Sequence, residues 1–393
     1  MSVRGVFALP YRLGRYAWRA WRDARPAARK HGVSPWRIIR EQVALKRQTQ
    51  LRPDEYYMFG LDDPNMPWED KLSYISDAGR RMWYIMTPPK YHGLYRNKLL
   101  FKRFFGGLGF PVAPLYGVYD PACGRTADGA PLRNAEDIAA WMKSTSVRCP
   151  VFKPTESAEG RMVYVMKGRA PQNDNAFLSI DGETYTPERL AETLGDPRLL
   201  RQAYPDEPIQ RTFLVEKRLL PHPAVVSLTA SETLCCARLV TLLAADGDVK
   251  IWATYFKVTP GNANADNPET VRMLLAAVDP ETGVVREGYF YHEHDPTPHD
   301  FHPDTGVKFR GARLPDWKEA VELVRRAALA VPPARTIGWD VAFTPDGPYL
   351  VEGNAAWGVR SVQFVWRKGL NYGAFKEVYE SRKETGYANI VKY

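Results

Sequence analysis

Apolar positions recur at helical spacing in Arg37–Gln50 and again in Trp68–Tyr84, with Pro53, Pro64, Pro67 and Pro88-Pro89 as breaks. Residues 1 to about 90 are therefore expected to be helical. From Asn97 the pattern becomes mixed. Asn97–Leu108 predicts a helix, Val112–Tyr119 a strand and Asn134–Lys143 a second helix, followed by short strands at Cys149–Lys153, Met162–Met166 and Thr212–Lys217. The last third reads as strand-rich. Cys235–Ala244 and Val249–Val258 flank Asp246-Gly247, a strong hairpin signal. A helix over Asp316–Ala330 lies between Pro315 and Pro332-Pro333. Gly338–Thr344 and Tyr349–Asn354 then turn at Pro345-Asp346-Gly347. Antiparallel pairs interleaved with helices, without regular strand–helix–strand alternation, indicate an α+β fold.

The final hairpin carries the most chemistry. With its turn centred on Asp346, Asp340 falls directly across from Glu352. Alternation then assigns Trp339, Val341, Phe343, Tyr349 and Val351 to a core face, and Asp340, Glu352 and Asn354 to the other. Two carboxylates with Cβ atoms about 5 Å apart repel unless a cation lies between them. Hard oxygen donors in this number suit Mg²⁺. An amphipathic hairpin with a solvated polar face would show the same alternation, and a bulge at Gly347 would shift the register by one.

Several basic residues admit a binding role beside the plainer reading of a solvated face, which taken singly would account for Lys98 and Lys153. Lys153 ends the strand of CPVFKP ahead of the loop Thr155–Gly160, an arrangement in which a lysine can hold a phosphate while loop amides cap it. Lys98 lies in the helix NKLLFKRFF, and Phe213-Leu214-Val215 runs into Glu216-Lys217-Arg218-Leu219, where an edge strand could offer backbone groups to an adenine. Arg238 lies inside the apolar run LCCARLVTLL and needs an anion, either a carboxylate partner or a ligand phosphate.

Taken in order, NKLLFKRFFGGLGFPVAP, VFKP, FLVEKRL, SETLCCARLVT, Ala265–Asn267, FHPDTG, GWDVAFT and LVEGN resemble the ATP-grasp superfamily, more closely its sugar-transfer-associated branch, over about residues 97–370. The resemblance implies two α+β subdomains clasping ATP, with boundaries at 93–215 and 216–393 after an N-terminal basic, helical region over 1–92. It implies that Lys98, Lys153, Ser157 and Gly160 meet the phosphates, and that Glu216, Lys217 and Leu219 meet the adenine. Asp340, Glu352 and Asn354 would bind Mg²⁺, two ions by this resemblance. Lys153 and Arg238 would serve catalysis, with Asn267, His302 and Arg360 as substrate contacts. Two departures stand out: Asn97 replaces the usual Asp before the first lysine, and the phosphate loop TESAEG is poor in glycine. The activity implied is an ATP-dependent carboxylate–amine ligase acting through an acyl phosphate in saccharide or specialised-metabolite synthesis. A phosphotransferase acting on a hydroxyl is the second reading. A non-catalytic membrane- or nucleic-acid-binding module is the third, and the intact carboxylate set opposes it.

Composition narrows the partners. The net charge is +9, but residues 1–52 alone hold 13 Lys/Arg against Asp23 and Glu41. The rest of the chain is therefore slightly acidic, and a nucleic-acid partner is not expected. Arg12, Arg15, Arg19, Arg22, Arg25 and Arg29 share one side of a helical wheel, with Pro26 as an expected break. That side fits an anionic membrane surface, or a basic helix packed on the protein's own body. No run approaches the roughly 18–20 apolar residues of a membrane span, and the start is too aromatic and charged for a secretory signal. Four cysteines without regular spacing point to a reducing cytoplasm, with residues 1–30 as a possible peripheral anchor. His292, His294 and His299 precede His302 without the spacing of a zinc site.

Overall fold

The computed structural model describes residues 18, 20–77, 80–156, 160–196, 198, 211–229, 231–258, 273–291 and 296–384. Two antiparallel sheets organise the chain. The first has seven strands in the order β2-β1-β7-β3-β4-β5-β6. Its central members are β1 (Leu115–Tyr119), β7 (Phe213–Lys217), β3 (Pro150–Pro154) and β4 (Tyr164–Ala170), flanked by β2 (Arg125–Thr126) on one side and by β5 (Asn173–Ser179) and β6 (Thr184–Tyr185) on the other. Phe152, Phe177, Phe213 and Val215 meet Ile138, Trp141, Leu190 and Leu194 from two helices, Ala135–Ser144 and Pro187–Gly195.

The second sheet has six strands in the order β11-β10-β9-β8-β12-β13. They are β8 (Cys236–Leu243), β9 (Val249–Val258), β10 (Leu274–Val278), β11 (Val285–Phe290), β12 (Thr336–Thr344) and β13 (Gly347–Asn354). Every residue of β8 and β12 is buried because both faces are covered. Ala237, Leu239, Phe256, Trp339 and Val341 face the helix Trp317–Leu329. Val240, Leu242, Tyr255 and Leu275 face the N-terminal helices and the helix Val359–Trp366. The N-terminal region is thus bolted onto the sheet face that, one row along, carries Arg238 and Asp340. Gln363 exchanges two 2.8 Å hydrogen bonds with the backbone of Ile75, and Arg382 donates to Ile85 O at 2.7 Å.

Three expectations change. Trp68–Tyr84 is not one helix but two, Trp68–Leu72 and Arg80–Met86. Buried Glu55 accepts from Ser76 Oγ at 2.7 Å and Asp77 N at 2.9 Å, which holds the intervening chain out of helical geometry. Pro26 does not break its helix, which runs over 20–31. Pro26 is exposed while Ala24, Ala27 and Ala28 are buried, so its ring points to solvent. In the last hairpin the bulge lies opposite the Asp340/Val341 step and not at Gly347. Leu350 therefore pairs with Val341 and enters the core, whereas Tyr349 and Val351 are only half-buried.

Candidate active site

The bulge leaves the inner half of the hairpin in the predicted register. Asp340 pairs with Glu352 and Gly338 with Asn354. The same row continues across β8, where Arg238 lies opposite Asp340. Arg238 grips the carboxylate with both ends of its fork: Nε bonds Oδ1, and Nη2 donates to Oδ2 at 3.0 Å. Lys257 of β9 adds a third contact, Nζ to Oδ2 at 3.2 Å. Burial would push the Asp340 carboxyl up, but Arg238 and then Lys257 outweigh it and hold the group well below the ordinary carboxylate range. Arg238 has found the carboxylate partner that its apolar surroundings demanded. Asn354 Nδ2 donates to Glu352 Oε1 at 3.3 Å, an amide orientation assigned from the bonding pattern.

A second cluster comes from the first sheet and the helix Lys98–Gly107. Glu216 on β7 is clamped by Lys153 of β3, 2.7 Å from Oε1, and by Lys102 of the helix, 2.9 Å from Oε2. Burial would raise the Glu216 carboxyl, yet the two lysines keep it below its usual value. Burial lowers Lys102 to about 8, and it lowers Lys98 too, against the opposing pull of Glu352. Lys98 joins the clusters, its Nζ lying 3.9 Å from Glu352 Oε2. Five cations and three carboxylates thus form one line from the first sheet to the second.

Asn97 explains how the lysine helix is aimed. It caps the helix, accepting from Leu99 N and Leu100 N at 3.1 Å each, and its Nδ2 donates to Glu156 Oε1 at 2.9 Å. Lys98 N donates to Thr155 O at 2.7 Å. An Asp at position 97 would set two carboxylates against each other, so the amide suits a loop that carries Glu156.

The other candidates lie elsewhere. β7 is a central strand between β1 and β3, not an edge, so its own backbone is committed to the sheet. The Glu216 side chain belongs to the lysine cluster, and Lys217 is exposed, its N bonded to Pro114 O at 2.9 Å. Leu219, half-buried, lies past the strand's end. Gly160 has φ 65°, the left-handed region that favours glycine. His302 is buried in its own turn, where Nδ1 accepts from Asp304 N at 3.2 Å. That turn adjoins β11, four strands from β12. Arg360 reaches Asp54 at 3.1 Å and Met58, which ties the helix Val359–Trp366 to the N-terminal region. Ser157, Asn267, His292 and His294 lie outside the described residues.

Sequence reasoning missed Lys102 and Lys257. Lys102 stands four residues after Lys98, hence on the same helix face. Lys257 interrupts the apolar strand WATYFKV as Arg238 interrupts its own. Both signals were present.

Two antiparallel lobes meeting at a line of lysines and paired carboxylates make this an ATP-grasp protein. A model of the sugar-transfer associated ATP-grasp family matches residues 84–377, and the chain belongs to that family. No curated protein matches it. Among solved structures it is similar to a biotin carboxylase from Campylobacter jejuni, at 12% identity and TM-score 0.42 over 74% of this chain and 46% of that one. It is also similar to D-alanyl-alanine synthetase A from Vibrio cholerae O1 biovar eltor, at 13% identity and TM-score 0.41 over 77% and 68%. A third is phosphoribosylamine–glycine ligase from Thermotoga maritima, at 12% identity and TM-score 0.40 over 75% and 56%. The chain spans about half the length of the biotin carboxylase, and likeness at this level transfers no residue role.

Proposed function

We propose that the chain is an ADP-forming ligase: it transfers the γ-phosphoryl group of ATP to a substrate carboxylate, and an amine then displaces phosphate from the acyl phosphate. The product would belong to saccharide or related metabolite synthesis. The observation that carries this reading is the 3.9 Å approach of Lys98 to Glu352, which brings the lysines of one lobe to the carboxylates of the other. We further propose that the two sheets act as the two lobes of the clasp, with the expected boundary at 215/216 moved past β7, which keeps Glu216 in the first sheet.

Each part of the cluster has a role in this reading. Lys98 and Lys153 neutralise phosphate oxygens, and Arg238 and Lys257 stand where charge grows on the transferring group. The donor set fits magnesium: Glu352 and Asn354 share one face with Asp340, and the Glu352 side chain keeps 28% of its surface exposed. Those three residues would hold the ion, which supplies positive charge to the β- and γ-phosphoryl oxygens when bound. Asp340 is shared between that role and its two cations. The chain's part is placement and charge, with no covalent enzyme intermediate required.

Hydroxylamine offered in place of the amine should give a hydroxamate of the correct carboxylate, with one ADP formed per hydroxamate. AMP and pyrophosphate would overturn the acyl-phosphate route. A stable phosphorylated product without free phosphate would replace the ligase by a phosphotransferase.

A further inference from the structure

Glu216 is the carboxylate of the first-sheet cluster for which two ammonium groups compete. A Lys153–Glu216 pair alone would be electrically neutral. A polyphosphate entering it would have to break that pair and would leave Glu216 buried and uncompensated. Lys102 changes this balance. Its side chain is 1% exposed, and Nζ stands 2.9 Å from Glu216 Oε2 with no well-aligned hydrogen-bond acceptor. The helix Lys98–Gly107 places it one turn after Lys98, so the residue is fixed by the same cap at Asn97 that aims the helix.

We propose that Lys102 is a positioning residue of the phosphate site: by neutralising Glu216 it leaves the charge of Lys153 available to the nucleotide. This rests on the ATP-binding reading above and names a residue that it did not require. Lys102 does this as a cation on Glu216, not as a group that touches the reacting atoms.

The surroundings of Lys102 make the role measurable. Burial brings Lys102 to about 8, helped by Lys153 from β3 and opposed by Glu216 from β7 and Glu352 from β13, while Lys98 lies one turn away on its own helix. Binding of a polyanion favours the charged ammonium. Affinity for nucleotide is therefore full below pH 8 and falls as pH rises through it, by at most about tenfold per pH unit. Arginine at the same position keeps its charge throughout this range.

The test is titration of the full chain with ADP and Mg²⁺ by calorimetry from pH 7 to 9.5. At pH 7, Lys102→Met should weaken binding about tenfold or more, because Glu216 is then left to hold Lys153 away from the nucleotide. Adding Glu216→Gln should restore it to within about threefold, because no anion is then left to hold Lys153. Lys102→Arg should bind like wild type and lose the alkaline fall. Three results would each overturn the proposal: unchanged binding in Lys102→Met, a double variant as weak as the single one, or an alkaline fall that survives in Lys102→Arg. Should Lys102→Met not fold, the behaviour of Lys102→Arg decides alone. A wild-type chain that binds no ADP at any pH would instead end the ATP-binding reading, a result distinct from the other three.

Discussion

Residues 20–31 and the cleft between the two sheets are both rich in basic side chains, yet their environments are opposite. In the cleft, Lys98, Lys102, Lys153, Arg238 and Lys257 are all at most 9% exposed. Each has a carboxylate within 4 Å, drawn from Glu216, Asp340 and Glu352. On the helix over 20–31, Ala24, Ala27 and Ala28 take the buried side, and Arg22, Arg25 and Arg29 stay in solvent. Arg22 pairs with its exposed neighbour Asp23 and lies over the Trp18 ring at 5.3 Å, and Arg25 lies over the Trp21 ring at 4.7 Å. Residues 1–52, the basic arm to which this helix belongs, account for the chain's formal charge, while the cleft holds the cations whose energies depend on partners. Net charge and pI therefore describe the arm and say nothing of the site.

That contrast predicts a large stability effect in the cleft. Asp340→Asn leaves Arg238 and Lys257 buried without their counter-ion, and breaking a buried pair in this way costs about 3–5 kcal/mol. Replacing Arg22, Arg25 and Arg29 together by Ser should move stability by no more than about 0.5 kcal/mol per site. Denaturant unfolding of both variants measures the difference directly. Equal losses would mean that the cleft cations are stabilised by something other than Asp340.

Glu352 sharpens the comparison inside the cleft. Its side chain is 28% exposed, and its ion pair is the 3.9 Å contact with Lys98, so Glu352→Gln should fold as well as wild type. Turnover should fall about 10²–10³-fold, the range seen when a group that stabilises developing charge is removed. Asn354→Ala should lose less, since an amide oxygen contributes no charge. Magnesium titration of turnover separates them: an unchanged metal dependence in Glu352→Gln would take the hairpin out of the mechanism.

The carboxylate half of the site was legible because it lies on one hairpin, where period-two alternation fixes which residues share a face. Asp340, Glu352 and Asn354 needed only the position of the turn. The bulge opposite Val341 spared them because it falls on the turn side of Asp340, and it misassigned Tyr349, Leu350 and Val351 for the same reason. Val249–Val258 was bounded as predicted, since Asp246-Gly247 marks its start. The lysine half needed three separate elements to meet, and no local pattern shows that Glu216 points at Lys102. Other misses follow the same logic. β5 (Asn173–Ser179) begins with three exposed polar residues and has no alternation to show there. The helix Val359–Trp366 is rich in valine and buried at six positions, a composition that favours strand until Gln363 is seen bonded to Ile75.

The smallest expected effect belongs to the arm, and it separates surface charge from buried charge most cleanly. Deleting residues 1–30 would not isolate membrane attachment, because it removes Ala24, Ala27 and Ala28 from the core together with the arginines. Reversing Arg22, Arg25 and Arg29 to Glu spares the alanines and leaves the packed side of the helix intact. Each basic residue near an anionic leaflet contributes about 1 kcal/mol, so three reversals should weaken vesicle binding by about 100-fold or more. The same change should leave ADP affinity as it was, since among the described residues no ion pair or hydrogen bond joins these side chains to Lys153 or Glu216. Sedimentation with vesicles containing phosphatidylserine, at low and at physiological salt, reads the effect. Attachment that survives the reversal would shift it to another surface. A full-length chain that ignores such vesicles even at low salt would leave the arm as a helix packed on its own body with its charge turned to water.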